Sequence, residues 1–322
     1  MPLPIQTQKL HQWLLLNKVR QWFTPLRQRI LWNWVTVVSL VLLSIGMVYT
    51  WYELPQTELQ VKPIYLGVAV IIYATTYVMH LFGWQALASL VFGPLPLREN
   101  VEAVAASDLV KYLPTVAWYI ANRIRFYNQR QIKRGAVIAA SLLEMMTLVG
   151  SGVIIYLILW LSRASSWFWV LGLLLVVLIV LKLAGQKLTH WWHTRIASYQ
   201  MTTHPKPYLW ITAFFWYGIS WLGGAFFLAV ILRAFVPIEA VNYSLLLKIW
   251  LISGLTGTIV SLTFGTIGIA RETTLTFLLA QYWPLPVSVA AAVFVKIILT
   301  IGQITCALLI LSWLHFRQRI YK

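Results

Sequence analysis

Apolar runs of about the length that a helix needs to cross a bilayer dominate this sequence. Of its 322 residues, 60% are hydrophobic and 10% charged, and the mean hydropathy is +0.76. A membrane-crossing helix needs roughly 20 mostly apolar residues. Because lipid offers no hydrogen-bond partner to the backbone, such runs must form helices or closed barrels, and runs of this length favour helices. The predicted fold class is therefore all-α, a polytopic bundle of transmembrane helices.

The apolar runs predict about eight crossings. They lie at about 31–51, 64–90, 135–161, 166–183, 207–232, 244–262 and 287–315, with a shorter run at 273–283. The half-polar region 99–130 has helical spacing on both sides of Pro114, a residue that disfavours helical geometry just before it. Basic residues flank this region on both sides, so we expect it not to cross. It is either a re-entrant hairpin or a pair of interfacial helices.

Lysine and arginine residues set the predicted orientation. With both termini in the cytoplasm, 19 of the 25 fall on the cytoplasmic side of the membrane. Only Lys62, Arg163 and Arg233 fall on the outer side, and the remaining three, Lys248, Arg271 and Lys296, lie within predicted spans. The excess of basic residues over the 8 acidic ones could indicate a protein that binds nucleic acid. The basic residues lie in alternate loops, however, which is the distribution that membrane topology favours. We expect a multi-pass protein of the cytoplasmic membrane without a nucleic-acid partner. Its expected segments are a basic interfacial segment at 1–30, a transmembrane domain at 31–315 and a basic cytoplasmic tail at 316–322.

Two glycines and two adjacent charges, Gly265, Gly268, Arg271 and Glu272, interrupt the helical pattern near the C-terminus. Glycine loses the most conformational freedom on ordering, so a continuous helix is disfavoured here. The run that follows, about 270–283, is only about 20 Å long as a helix and is too short to cross. Its N-terminus is therefore expected inside the bundle, where free N–H groups can bind an anion. The alternative is a cytoplasmic turn with a surface ion pair.

Polar stripes on two of the predicted crossings carry the charges Glu144 and Lys296. The stripes are Ser141, Glu144, Thr147 and Ser151 on one helix and Lys296, Thr300 and Gln303 on the last. A charge at the bilayer centre costs on the order of 2.5–3.5 kcal/mol or more, so both should face the bundle interior. Glu272 falls at a similar depth and should either cap the free amides or pair with Lys296. The stripes are either structural salt bridges or a substrate path. On the path hypothesis, Glu144→Leu removes activity and spares the fold.

Two motifs resemble those of a known family. The first motif consists of Pro96-Leu97-Arg98-Glu99, Asp108-Leu109-Val110-Lys111-Tyr112-Leu113-Pro114, Trp118 and Arg123, and the second is Gly265–Glu272. Together they resemble the lysylphosphatidylglycerol synthase transmembrane-region family, also called flippase-like. Thr115 replaces the family's usual glycine, and the second motif lacks its proline and has one extra residue before Arg271. The resemblance covers about 35–315. It implies an eight-span lipid translocase module, here as a stand-alone member without a synthase domain.

The resemblance and the charges lead to one hypothesis of function and one rival. We expect the protein to bind anionic lipids, either phospholipid or polyprenyl-phosphate-linked, and to translocate them across the membrane. The predicted lipid-binding residues are Lys111, Tyr112, Pro114, Arg123, Arg125, Glu144, Gly265, Gly268, Arg271, Glu272 and Lys296. The rival is a non-transporting membrane subunit that supports a partner glycosyltransferase or lipid-modifying enzyme. A homo-oligomer is left open.

Patterns for catalysis and metal binding are scarce. His190 and His193 have metal-like spacing, but no carboxylate or thiol stands nearby to complete a site. Asp108 is the single aspartate, which excludes an Asp-x-Asp pair, and no phosphate-binding loop is present. We therefore expect no enzyme activity, no cofactor and no metal.

Overall fold

The computed structural model describes residues 61–110, 116–161, 172, 208–237, 241–264 and 269–320. Regular structure in these ranges is helical, and no strand occurs among them, which confirms the all-α prediction. The helices are α1 Pro63–Phe92, α2 Leu97–Val110, α3 Val116–Asn128, α4 Arg134–Leu161, α5 Tyr208–Arg233, α6 Tyr243–Phe264, α7 Ile269–Leu279 and α8 Leu285–Ile320.

Five of these helices, α1, α4, α5, α6 and α8, are long and apolar enough to cross a membrane. Their bounds lie within five residues of those predicted for five of the crossings, because a crossing helix needs a long apolar run that can be read from the sequence. The predicted interfacial segment at 1–30 and the predicted crossings at 31–51 and 166–183 lie outside the described residues. The predicted short run is α7, a helix of 11 residues. At 1.5 Å per residue it is about 16 Å long, shorter than a hydrocarbon core.

Large aromatic side chains pack on glycines of neighbouring helices and bring the helices close together. The pairs are Tyr217 on Gly83, Trp221 on Gly152 and Gly254, Trp250 on Gly224, and Tyr73 on Gly302. A Cβ atom at Gly83 would lie 2.8 Å from the Tyr217 ring, and one at Gly302 would lie 2.7 Å from the Tyr73 ring. Small residues commonly allow such close approach between membrane helices. These contacts hold several aromatic side chains in the interior of the bundle.

The buried apolar side chains form two clusters that meet on α1. One cluster includes Tyr73 and the buried faces of α6 and α7, and the other includes Tyr77 and the buried faces of α2 and α4. The Tyr73 and Tyr77 rings lie one turn apart, with centroids separated by 6.4 Å. Both tyrosines carry a hydroxyl into the interior. Buried polar side chains, Asp108 and Glu272 among them, are found in the regions of both clusters.

The half-polar pair α2 and α3 packs into the bundle through buried hydrogen bonds. The Asn100 amide donates to Gln85 Oε1 at 2.6 Å and accepts a bond of 2.6 Å from the Tyr127 hydroxyl. That hydroxyl accepts in turn from Trp84 Nε1 at 2.9 Å. Asn100 is 1% exposed and Tyr127 is fully buried. The two predicted helices are confirmed, and each packs its buried side chains against the rest of the described bundle.

Candidate functional site

The most buried charges of the described bundle are Arg123 on α3 and Glu144 on α4. Arg123 Nη1 lies 2.6 Å from Glu144 Oε2, and Arg123 Nη2 lies 3.3 Å from Glu144 Oε1. Arg123 is fully buried and Glu144 is 3% exposed. The whole predicted stripe Ser141, Glu144, Thr147 and Ser151 is buried, so the prediction that Glu144 faces the interior is confirmed. This pair joins α3 to α4.

Aromatic rings enclose the guanidinium group of Arg123. Its central carbon lies 3.6 Å from the Trp84 ring centroid and 4.1 Å from the Tyr119 ring centroid. Cation–π contacts of this kind are worth about 2 kcal/mol when they are shielded from water. The adjacent Glu144 carboxylate and the two rings compensate the buried charge of the guanidinium group. Arg123 therefore remains charged.

The Glu144 carboxylate is also held by three groups besides Arg123. The hydroxyls of Tyr119 and Tyr217 donate to it at 3.0 and 3.3 Å. His80 Nε2 lies 3.3 Å from Glu144 Oε1. A carboxylate has about four acceptor positions, so this one has all the donors it can hold. The cluster thus ties α1, α3, α4 and α5 together.

A second buried carboxylate, Asp108 on α2, lies beside this cluster. It is 4% exposed, and it accepts a hydrogen bond of 2.8 Å from the Tyr77 hydroxyl. The Tyr77 ring lies 6.4 Å from the Tyr73 ring on α1, and Tyr73 packs on Gly302 of α8.

At the start of α7, Glu272 is buried and Arg271 is half-buried. The Arg271 guanidinium carbon lies 4.0 Å from the Trp250 ring centroid, and its buried Nε has no hydrogen-bond partner among the described residues. Glu272 is 4% exposed and Arg271 is half-buried against Trp250, which argues against a fully solvated surface turn.

Glu272 pairs with Lys296, which is one of the two alternatives that the sequence left open. Lys296 Nζ lies 3.5 Å from Glu272 Oε1. The Glu272 side chain is 5% exposed, whereas that of Lys296 is 35% exposed. The second carboxylate oxygen, Oε2, is buried and finds no hydrogen-bond partner in the described part of the chain. Arg271 and Glu272 therefore present one unused donor atom and one unused acceptor atom.

Two glycines make this arrangement possible. A Cβ atom at Gly257 on α6 would lie 2.6 Å from the Cβ and 3.2 Å from the Cα of Arg271. Only a residue without a side chain allows α7 to begin this close to α6. A Cβ atom at Gly224 on α5 would likewise collide with the Trp250 indole. Gly224 thus fixes the ring on which Arg271 stacks.

The structure brings the predicted site residues together in two groups. Arg123 lies with Glu144, and Arg271 and Glu272 lie with Lys296. Arg125 is exposed, on a different side of α3 from Arg123. The predicted site residues Lys111, Tyr112, Pro114, Gly265 and Gly268 lie outside the described residues. The lipid-binding role of all of these residues stays a prediction.

Sequence reasoning missed the aromatic residues around both groups. For the aromatic residues of α1, the sequence did contain a signal in their spacing. Tyr73, Tyr77, His80 and Trp84 recur at intervals of four, three and four residues, which places them on one face of α1. Tyr119, Tyr217 and Trp250 had no comparable signal, since their partners lie far away in the sequence.

The described residues contain no group of three or more His, Cys, Asp or Glu side chains that could hold a metal ion. The predicted metal-like spacing at His190 and His193 lies outside them. Comparison of the chain with protein-family models, with curated proteins and with solved structures found no match. The resemblance to the lysylphosphatidylglycerol synthase transmembrane-region family therefore stays a prediction, carried by the motif residues alone.

Proposed function

We propose that this protein is a lipid translocase of the cytoplasmic membrane that binds an anionic head group at Arg271. One observation carries the proposal: Arg271 is half-buried against Trp250, and its buried Nε has no partner among the described residues. Its neighbour Lys296 is partly exposed, so the site is not sealed. A phosphate oxygen is a strong acceptor for arginine. The resemblance to flippase-like proteins supports the same function.

Arg123 has a different role in this proposal. Its guanidinium group is fully buried, paired with Glu144 and covered by two rings. A head group could reach Arg123 only if Glu144 released it, and this would strand a buried carboxylate. We assign the Arg123–Glu144 pair to holding α3 in the bundle. The head group then contacts the region around Arg271.

We further propose eight crossings in total, with α2 and α3 forming a re-entrant hairpin that opens to the cytoplasm. The buried bonds of Asn100 and Tyr127 support a pair that enters the bundle, because interfacial helices would not need them. A cysteine at Arg125, in a Cys306→Ala background, should react with an impermeant thiol reagent only from the cytoplasmic side. A cysteine at Tyr282, which is 56% exposed, should react only from the opposite side. Reaction of both cysteines from the same side would contradict this topology.

Lipid transfer can be measured in liposomes that contain the purified protein and a fluorescent phosphatidylglycerol. Dithionite bleaches the outer leaflet, and transfer brings inner-leaflet lipid within its reach. Arg271→Met should slow transfer about 10- to 100-fold, since a hydrogen bond to a charged group contributes about 1.5–3 kcal/mol. The proposal leaves Arg125 out of the lipid-binding residues that the sequence predicted, because Arg125 is exposed on a different side of α3. Arg125→Met removes the same charge and should therefore leave the rate unchanged.

Two outcomes would contradict the proposal. Equal slowing by Arg125→Met and Arg271→Met would mean that the net charge matters and the Arg271 site does not. No transfer above that of protein-free liposomes would refute a translocase acting alone. If transfer stayed absent after addition of membrane extract, the rival role as a non-transporting subunit of a glycosyltransferase or lipid-modifying enzyme would be favoured.

A further inference from the structure

We infer that His80 is a proton-binding site whose charge controls the contact between α5 and Glu144. His80 lies twelve residues before Phe92, the end of α1, which is about 18 Å at 1.5 Å per residue. An ionisable side chain at such a depth is rare in membrane helices and commonly has a function. The inference goes beyond the proposed function, since it concerns a proton and not a lipid.

His80 is far more exposed than the ion pair that it contacts. Its side chain is 28% exposed, whereas that of Glu144 is 5% exposed and that of Arg123 is fully buried. A proton can therefore reach the imidazole without entering the Arg123–Glu144 pair. Histidine is also the side chain that ordinarily changes its charge between about pH 5 and 8.

The Glu144 oxygen beside His80 has more neighbours than it can bond. Arg123 Nη2, the Tyr217 hydroxyl and His80 Nε2 all lie 3.3 Å from Oε1. One carboxylate oxygen accepts about two hydrogen bonds. On Oε2, by contrast, two donors lie at 2.6 and 3.0 Å. The three groups around Oε1 therefore compete for two positions.

The charge of His80 decides this competition. An imidazolium group donates from both nitrogens, and its hydrogen bond to a carboxylate is roughly twice as strong as a bond between neutral groups. Protonated His80 therefore takes one position on Oε1, and the neutral donor Tyr217 gives it up. When His80 is neutral, Arg123 and Tyr217 hold both positions.

Tyr217 transmits the change to the packing of α5. Its ring lies edge-on to the His80 ring, with 5.0 Å between the centroids. A Cβ atom at Gly83, three residues after His80 on α1, would lie 2.8 Å from the Tyr217 ring. Because the ring has no free space on the α1 side, a Tyr217 hydroxyl that leaves Oε1 changes the contact between α1 and α5.

The charged groups that surround His80 favour the proton. They are Arg123, Glu144 and Asp108, and Asp108 accepts a bond from Tyr77, one turn before His80. Together these three carry one net negative charge, which the protonation of His80 balances. The uncharged ionisable groups on the helices packed here are Tyr73 and Tyr77 of α1, Tyr119 of α3, Tyr217 of α5 and Cys306 of α8.

Histidine NMR tests the proton site directly. The full chain, with isotope-labelled histidine, is titrated in a non-ionic detergent from about pH 5 to 8. Of its six histidine signals, the one absent from His80→Gln belongs to His80. If that variant does not fold, the signal that shifts in Tyr217→Phe identifies His80, because the two rings are in contact. We expect this signal to titrate within the range.

Tyr217→Phe tests the competition at Oε1. If the proton on His80 displaces the Tyr217 hydroxyl, then removal of that hydroxyl must strengthen proton binding by the same coupling. We expect the proton to bind about threefold more tightly, since a neutral hydrogen bond is only modestly stabilising.

Unfolding in mixed micelles of a mild detergent and SDS measures whether the bundle depends on this proton. Folding places a carboxylate beside His80, so the folded state binds more protons there than the unfolded state, and stability falls as the pH rises. The unfolding constant of the wild type, divided by that of His80→Gln, should rise about tenfold from about pH 5 to 8. The matched control is His315→Gln, because His315 is exposed on α8, and its ratio should stay constant.

Three results would overturn the inference. A His80 signal that keeps one protonation state over the whole pH range would mean that no proton is exchanged there. Parallel unfolding profiles of the wild type and His80→Gln would mean that the proton does not affect the bundle. Unchanged or weaker proton binding in Tyr217→Phe would refute the competition. None of these measurements uses lipid, so their failure leaves the proposed function untouched.

Discussion

Removing either partner of the Arg123–Glu144 pair should destabilise the protein strongly, whereas removing both should cost much less than the sum. In Arg123→Met, the buried Glu144 loses its counter-ion, and in Glu144→Met the fully buried guanidinium group of Arg123 is stranded. Breaking a buried ion pair from one side typically costs about 3–5 kcal/mol. Each single variant should therefore lose about that much unfolding free energy.

The double variant contains no stranded charge. It still loses the ring contacts of Arg123 with Trp84 and Tyr119 and the hydroxyl bonds that Glu144 accepts. Each of these losses costs about 1–3 kcal/mol at most. We therefore expect the double variant to be about as stable as either single variant. The coupling energy between the two positions is then about 3–5 kcal/mol.

The assay is equilibrium unfolding in mixed micelles of a mild detergent and SDS, followed by circular dichroism. Arg125→Met is the matched control, because Arg125 lies two residues away on the same helix and is exposed. It should change the unfolding free energy by less than about 0.5 kcal/mol. Additive effects of the two single changes, or a fully stable Arg123→Met, would refute the reasoning. The same pairing changes the expectation for Glu144→Leu: it should damage the fold and not only the activity.

Two further predictions concern packing and buried hydrogen bonds, and Gly67→Ala is the control for the first. Gly257→Ala places a Cβ atom 2.6 Å from that of Arg271, so α7 must shift. We expect the unfolding free energy to fall by about 1–3 kcal/mol and lipid transfer in the liposome assay to slow. Gly67→Ala, where nothing lies within 4 Å, should leave both unchanged, and equal losses at Gly67 and Gly257 would contradict the packing argument. Tyr127→Phe leaves Asn100 Oδ1 without its donor and should cost about 1–3 kcal/mol in thermal or SDS unfolding; a neutral effect would show that water replaces the hydroxyl.

The sequence by itself determined the class of the fold and much of its layout. Hydropathy located α1, α4, α5, α6 and α8, because a membrane requires long apolar helices and tolerates little else. The glycine break and the short run after it predicted a helix too short to cross. Depth and helical spacing were enough to place Glu144 in the interior and to offer Lys296 as a partner for Glu272. These inferences need only local pattern and the physics of the bilayer.

Only the tertiary structure decided what each charged side chain contacts. Arg123 and Arg125 are the same residue type two positions apart, yet one is fully buried and the other is exposed. Helical geometry says that they point in different directions, but not which of them meets a carboxylate 21 residues further along the chain. Likewise, Gly257 matters because α7 happens to begin against it. Such contacts depend on how separate helices pack, and no local pattern records that.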